Sequence, residues 1–172
     1  MAPQEFAGVY PLVLSWIQQT VAGHEGSAKT VASKGFKRLP SYFSQELLEA
    51  VKVVSVARVP VPPLSSVGLQ RFRDFERTDW DGITYIDTIF LKRTRAADEV
   101  LHFHELIHAV QWRLLGPERF LRMYADGLEQ FGYHNSPLEK MAYSAQREFS
   151  RAKQPFDTQT WVLGELRQLG AL

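Results

Sequence analysis

Near the N-terminus apolar residues recur in steps of three and four at Phe6, Tyr10, Val13, Ile17 and Val21. That is the period of one buried face of an α-helix. A docked helix is expected from about Pro11, which suits a first turn, to Val21, with Gly23 to Gly26 closing it. A second helical stretch is expected from Ser41 to Ala50, opened by a serine after Pro40. The pattern then changes: Val51 to Val59 is rich in valine and reads as a strand. Val59-Pro-Val-Pro-Pro63 ends it, because proline has no N–H to offer a ladder.

A polar stretch follows from Gln70 to Asp81, leading to a plausible tight turn at Asp81-Gly82. Ile83 to Leu91 is β-branched and aromatic almost throughout, and predicts a second strand. From Thr94 onward strand character fades and helices follow one another. Thr94 to Asp98 opens a helix ending near Gly116, where Gly116-Pro117 stops one helix and starts the next. That one runs to about Gly132. A third opens at Ser136, with Ser136 as N-cap and Glu139 placed for a capping box, and a last helix spans about Asp157 to Leu169. The fold class is therefore α+β, with a small, mostly antiparallel or mixed sheet packed on a helix and a C-terminal helical bundle behind it. A chain of 172 residues carries one core, so a single domain over residues 1–172 is expected, with N-terminal helices and the first strand in 1–80 and the remainder in 81–172.

Charge narrows the partners. Twenty basic and nineteen acidic side chains leave a formal charge of +1, so no global field recruits nucleic acid or an anionic membrane. No run approaches the roughly 20 apolar residues that span a bilayer. No Lys or Arg precedes Lys29, so the basic start of a signal peptide is missing and a soluble, cytoplasmic protein is the expectation. The chain has no cysteine, which excludes disulfides, thiolate metal sites and cysteine nucleophiles; any metal must be held by nitrogen and oxygen.

Residues 104 to 108 read His-Glu-Leu-Ile-His inside the first of the C-terminal helices. Histidines four apart stand one turn above each other on one face, so both imidazoles can reach one metal ion. Glu105 is turned aside far enough to miss the metal and still reach a water bound to it, an arrangement that fits metal-assisted hydrolysis. With five His in the chain, random placement produces this pattern roughly once in a hundred such sequences. The surrounding Leu101, Phe103, Leu106, Ile107 and Val110 predict a buried helix, and buried histidines need partners. Zinc is the expected cofactor.

A catalytic zinc site usually takes three protein ligands and leaves a position for water. The metzincin pattern would need Gly at 111 and His at 114, where Gln111 and Leu114 stand. The chain instead resembles the gluzincin branch of zincin metallopeptidases, in which a glutamate on a later helix is the third ligand. Glu139, in Asn135-Ser-Pro-Leu-Glu-Lys-Met-Ala142, looks like the Glu-x-x-Ala segment of small bacterial zincin-like domains, and the His-Glu-x-x-His-x-x-Gln pattern through Gln111 is similar to theirs. The resemblance covers about residues 83 to 150. It implies a zincin-like fold and a zinc metallopeptidase with Glu105 as general base and His104, His108 and Glu139 on the metal. It also implies that an edge strand, matched by Ile83 to Leu91, holds extended peptide by backbone pairing. A peptide or protein substrate follows, and a protein partner or inhibitor has room at such a cleft.

The residues alone support Glu139 through a helical hairpin from 95 to 132 that returns the chain beside the active-site helix; His134 and Glu129 are its rivals, and a capping box is its bland alternative. One departure matters: larger gluzincins carry an aspartate four residues after the ligand glutamate, where Tyr143 stands here. Ligand-orienting groups must come from elsewhere, with Asp98 and Asp126 as candidates. Tyr143, Tyr133 or His134 is expected to polarise a developing oxyanion or to support the ligands, although a tyrosine is as readily a half-buried core residue. His102 is expected at the surface or in packing, His24 in a loop without a partner, and Trp16, Trp80, Trp112 and Trp161 in packing. Two readings compete with the enzyme: a binding or structural protein that retains zinc with little turnover, and a helical interaction module in which the motif is accidental.

Overall fold

Proline starts the first helix, but it is Pro3 and not Pro11. Helix α1 (Pro3–Gly23) takes Pro3 in its first turn and carries Pro11 inside it. Pro11 and Ala7 are both exposed, so water can take up the Ala7 carbonyl that a Pro11 N–H would otherwise have reached. Phe6 and Ile17 are buried, and Val13 and Val21 pack against the core, as the spacing predicts. The computed structural model describes residues 1–151 and 154–172.

After β1 (Lys29–Thr30), Ser41 falls in a 3-10 turn, and α2 (Gln45–Ala50) starts only where Ser44 Oγ accepts the Leu47 N–H. Strand β2 (Lys52–Val56) is shorter than the valine-rich stretch, and the polar stretch holds one short helix, α3 (Arg73–Arg77). The expected single strand from Ile83 to Leu91 is instead a hairpin, β3 (Gly82–Tyr85) and β4 (Thr88–Lys92). Its turn puts Ile86 at φ 59, a left-handed conformation that a β-branched residue rarely adopts, so nothing in the residue types announces it. Gly82 opens β3 where a turn was expected.

The sheet order is β1-β2-β4-β3. β1 and β2 are antiparallel, β2 and β4 parallel with Val54 opposite Phe90, and β4 and β3 antiparallel with Ile83 opposite Phe90. A central strand is covered on both faces, and four of the five β4 residues are buried. The sheet is mixed, as expected.

Asp98 caps helix α4 (Glu99–Phe131), its carboxylate accepting the Leu101 N–H at 3.0 Å. Phe103, Leu106, Ile107 and Val110 of this helix share the main core with Ile89, Phe90 and Leu91 of β4. The helix breaks at Gly116, which adopts φ 71 and ψ 166 ahead of Pro117. Helices α5 (Pro137–Ser150) and α6 (Thr158–Gln168) both pack on α4, and Asp157 caps α6. Gly127 sets the closeness of the α4–α5 approach: a Cβ there would lie 2.9 Å from Ser136 Cβ and 3.0 Å from Pro137 Cδ. Its bare backbone lets the first turn of α5 lie against the second half of α4. Among the described residues no helix is long and apolar enough to cross a membrane.

Candidate metal centre

His104 and His108 rise from one face of α4, and their Nε2 atoms stand 3.1 Å apart. Glu139, in the first turn of α5, places Oε2 at 3.4 Å from His104 Nε2 and Oε1 at 3.3 Å from His108 Nε2. Ligands 2.0–2.1 Å from a tetrahedral zinc are separated by about 3.3–3.4 Å, and the two imidazoles stand near that separation from one another and from the Glu139 carboxylate, each facing a different carboxylate oxygen. All three residues are buried, at 3%, 5% and 1% exposure. Glu139 Oε2 and His104 Nδ1 have no hydrogen-bond partner among the described residues. Buried polar atoms left so cost roughly 1–3 kcal/mol each, and a shared cation would satisfy the carboxylate. The donor set fits zinc.

Electrostatics agree with that fit. Burial pushes the His108 imidazole down, but the Glu139 carboxylate beside it prevails and raises its pKa to about 9. Burial alone would raise Glu139; the charges of His108 and His104 hold it well below the ordinary carboxylate range instead. The pocket is thus arranged around a positive charge, a proton in the metal-free chain and a metal ion where one displaces it.

Neighbouring side chains orient two of the three. His108 Nδ1 lies 2.8 Å from Gln111 Oε1, which fits an Nδ1–H donor and leaves Nε2 with its lone pair towards the cluster. The Gln111 amide in turn donates to the Leu138 carbonyl at 3.1 Å, tying α4 to α5. Tyr124 donates its hydroxyl to Glu139 Oε1 at 2.8 Å. Asp98 and Asp126 do not serve here: Asp98 caps α4 and pairs with Arg95, and Asp126 binds the N-terminal ammonium. Gln111 takes the part expected of an aspartate. Glu129 is likewise engaged elsewhere, with the same ammonium and Arg71.

Glu105 lies on the side of the cluster facing β3. Thr84 Oγ1 lies 2.7 Å from Glu105 Oε2 and 3.0 Å from the Glu105 backbone carbonyl, either of which can accept its proton. A Cβ on Gly82 would come within 2.7 Å of Glu105 Oε1, so the carboxylate rests against a strand that is bare at that point. Burial raises the Glu105 pKa, with the two imidazoles and the Thr84 hydroxyl opposing. A carboxylate raised this way is a better proton acceptor near neutrality.

The remaining expectations divide. Tyr143 stacks obliquely on His104 at 4.6 Å between ring centroids, and Tyr133 packs on Trp80 at 4.5 Å. Burial raises both phenols above the usual value, Tyr133 the further, so each keeps its proton and can donate. His134 is exposed on the rim, 5.9 Å from the Tyr143 ring. Ser136 Oγ finds no partner among the described residues and Glu139 turns inward, so no capping box forms. His102 is fully buried, with Nδ1 2.8 Å from the Asp98 carbonyl and its ring 4.5 Å from Phe36. His24 is not idle: Nδ1 meets the Thr20 carbonyl at 2.8 Å, and its ring stands edge-on to Phe90. Trp112 and the other tryptophans pack. Thr84, Gly82 and Tyr124 carried no signal in the sequence, because their roles depend on which strand and which half-helix come to lie beside the motif.

The cluster separates two spaces. Outside is a cleft of about 350 Å³ edged by Asp79, Asp81, Arg95, His134 and Gln146. Inside is a cavity of about 110 Å³ beneath α1, lined almost wholly by apolar side chains. Trp80, Gly82, Glu105 and Tyr133 border both.

β3 is the sheet edge next to α4. Lys92 N–H bonds the Asp81 carbonyl, so by antiparallel alternation Gly82 and Thr84 turn their backbone groups away from β4. The Thr84 carbonyl is already taken by Trp112 Nε1–H at 3.0 Å. The edge open to an added strand is therefore short and centres on Gly82. Comparison with protein-family models, with curated proteins and with solved structures returns no match.

Proposed function

We propose that this chain is a zinc-dependent hydrolase of amide bonds, a metallopeptidase of the gluzincin type, with His104, His108 and Glu139 as metal ligands. The observation that carries the reading is three buried residues, His104, His108 and Glu139, whose ligand atoms all lie within 4.8 Å of one another, beside Glu105, a fourth buried group anchored by Thr84. A bound zinc ion would supply Lewis acidity, polarising a substrate carbonyl and acidifying water. Glu105 accepts a proton from the attacking water and delivers it to the leaving nitrogen. Tyr143, whose ring stacks on His104, and Tyr133, which lines the same cleft, would donate their hydroxyls to the carbonyl oxygen as charge develops on it. Gln111 and Tyr124 hold His108 and Glu139 in their orientations.

Metal content of the purified chain tests this first, alongside hydrolysis of a mixed peptide library. About one zinc per chain is expected, lost in the double variant His104→Ala, His108→Ala and weakened in Glu139→Ala. Glu105→Gln should keep the zinc and lose hydrolysis. Failure to take up added zinc would overturn the reading. A zinc-retaining binding protein with little turnover is the second reading, favoured by the Trp112 indole that occupies part of the edge strand. Zinc with no hydrolysis of any library member, N-acylated peptides included, selects it.

A further inference from the structure

The inner cavity has a shape and polarity that restrict what can fill it. Its lining runs along one face of α1 from Phe6 through Val9, Val13 and Ile17. Phe6 and Ile17 are eleven residues apart, about 16 Å of helix at 1.5 Å per residue. Across from α1 it is closed by Leu64, Leu69 and Phe72, a small apolar cluster separate from the main core. The charged groups that border it, Glu105, His108 and Glu139, belong to the candidate metal centre.

An extended peptide cannot thread this space. About five residues would be needed to run 16 Å, and their N–H and C=O groups would outnumber the few hydroxyls in the lining that could pair with them. A hydrocarbon chain carries no such groups. One water needs about 10–15 Å³ on the same measure, so 110 Å³ accommodates the bulk of several waters in a slender apolar space. At the other side of the cluster, the outer cleft carries Arg95, Asp79 and Asp81 and suits a polar group.

We infer that the substrate is amphipathic: an N-acyl amine or N-acylated peptide whose straight aliphatic chain lies in the cavity under α1, with its amide carbonyl at the metal centre and its polar amine portion in the outer cleft. The bond cleaved rests on the hydrolase reading above; binding of the chain does not. In the reaction the oxygen of water forms a bond to the amide carbon and the C–N bond breaks. Glu105 carries the proton from that water to the departing nitrogen, leaving a fatty acid and an amine. Ala125 and Val9, which line the cavity away from the metal centre, set the length of chain that fits.

The test uses the metal-free chain and N-acyl glycinamides of increasing acyl length, from butanoyl to tetradecanoyl, with N-acetylphenylalaninamide as the single-side-chain control. Binding is read by calorimetry and by the fluorescence of Trp80 and Trp112, which line the cavity. Affinity should tighten roughly fourfold per added methylene until the cavity is full and then level off. Ala125→Phe, and independently Val9→Phe, should move that plateau to shorter chains while cooperative melting and zinc uptake are kept. Affinity that does not grow with chain length, or a phenylalanine amide that binds as tightly as the best acyl chain, overturns the inference. So does a plateau that neither folded variant moves. A chain that takes up no zinc yet shows the length series would retire the hydrolase reading and leave this binding site standing.

Discussion

Gly82→Ala is the smallest change that reaches the proposed general base without touching a metal ligand. The added Cβ would sit 2.7 Å from Glu105 Oε1 and 2.7 Å from Leu91 Cδ2, where ordinary contacts begin at 3.4 Å. About 0.7 Å must be found (3.4 − 2.7), on both sides at once. Leu91 is fully buried in the central strand, and the Thr84 hydroxyl pins the other Glu105 oxygen at 2.7 Å. Overpacking of this kind costs about 1–3 kcal/mol. For a chain of this size that is a fall in Tm of roughly 2–12 °C. Displacing a catalytic group by about 1 Å can cost on the order of 100-fold in rate, so hydrolysis should drop by tens of fold with zinc content unchanged. Calorimetric melting, metal analysis and turnover on one preparation give all three quantities. A Gly82→Ala protein with unchanged Tm and unchanged turnover would show that Glu105 is not held against β3, and would refute the account of how the base is positioned.

The metal should act as a staple between α4 and α5: zinc at 100 times its Kd adds about 2.7 kcal/mol, a rise of roughly 5–11 °C in Tm, and an unshifted melting curve in saturating zinc would contradict the proposed ligand set. Tyr124→Phe and Gln111→Leu, which remove the partners of Glu139 and His108, should each weaken zinc affinity about 10- to 100-fold in competition with a chelator; equal affinity in both would mean the contacts orient nothing. Asp98→Ala should cost about 1 kcal/mol through the lost cap. Burial pushes the Asp98 carboxyl up, but the Leu101 N–H and Arg95 outweigh it and hold it below its ordinary value. Its folded pKa is thus depressed, so its contribution is complete above about pH 3.9 and fades as pH falls through the folded value. Urea midpoints of wild type and variant should differ by a constant amount at neutral pH and converge in acid.

The helical half of the molecule was legible because its signals are local. Gly116-Pro117, the start of the last helix at Asp157 and the spacing of His104 and His108 are each set within a few residues, and each falls where expected. Glu139 was reachable for a related reason, since a short connection between two helices leaves few ways to pack them. The hairpin was not legible: β4 is covered on both faces, so Ile83 to Leu91 is apolar without alternation, and the turn is made by an isoleucine at positive φ. The start of α1 was missed because Pro11 looks like a helix beginning, and only its exposed position reveals why it is tolerated inside one. The supporting residues of the cluster depend on contacts between distant segments, Thr84 with Glu105 and Tyr124 with Glu139. The choice of Gln111 over Asp98 and Asp126 turned on which way each helix faces.

The parallel pairing of β2 with β4 has a consequence for the order in which the molecule assembles. The chain from Val56 to Thr88 must be looped out before those strands can meet, whereas α4 and α5 are joined by the short link from Gly132 to Ser136. Contacts between near neighbours in the chain form sooner than those that close long loops. His104, His108 and Glu139 all belong to the early, local half, and Thr84, which fixes Glu105, belongs to the late one. A folding chain on this route brings the three candidate ligands together before the candidate base is fixed, and the hydrolytic competence proposed above would wait for the sheet to close.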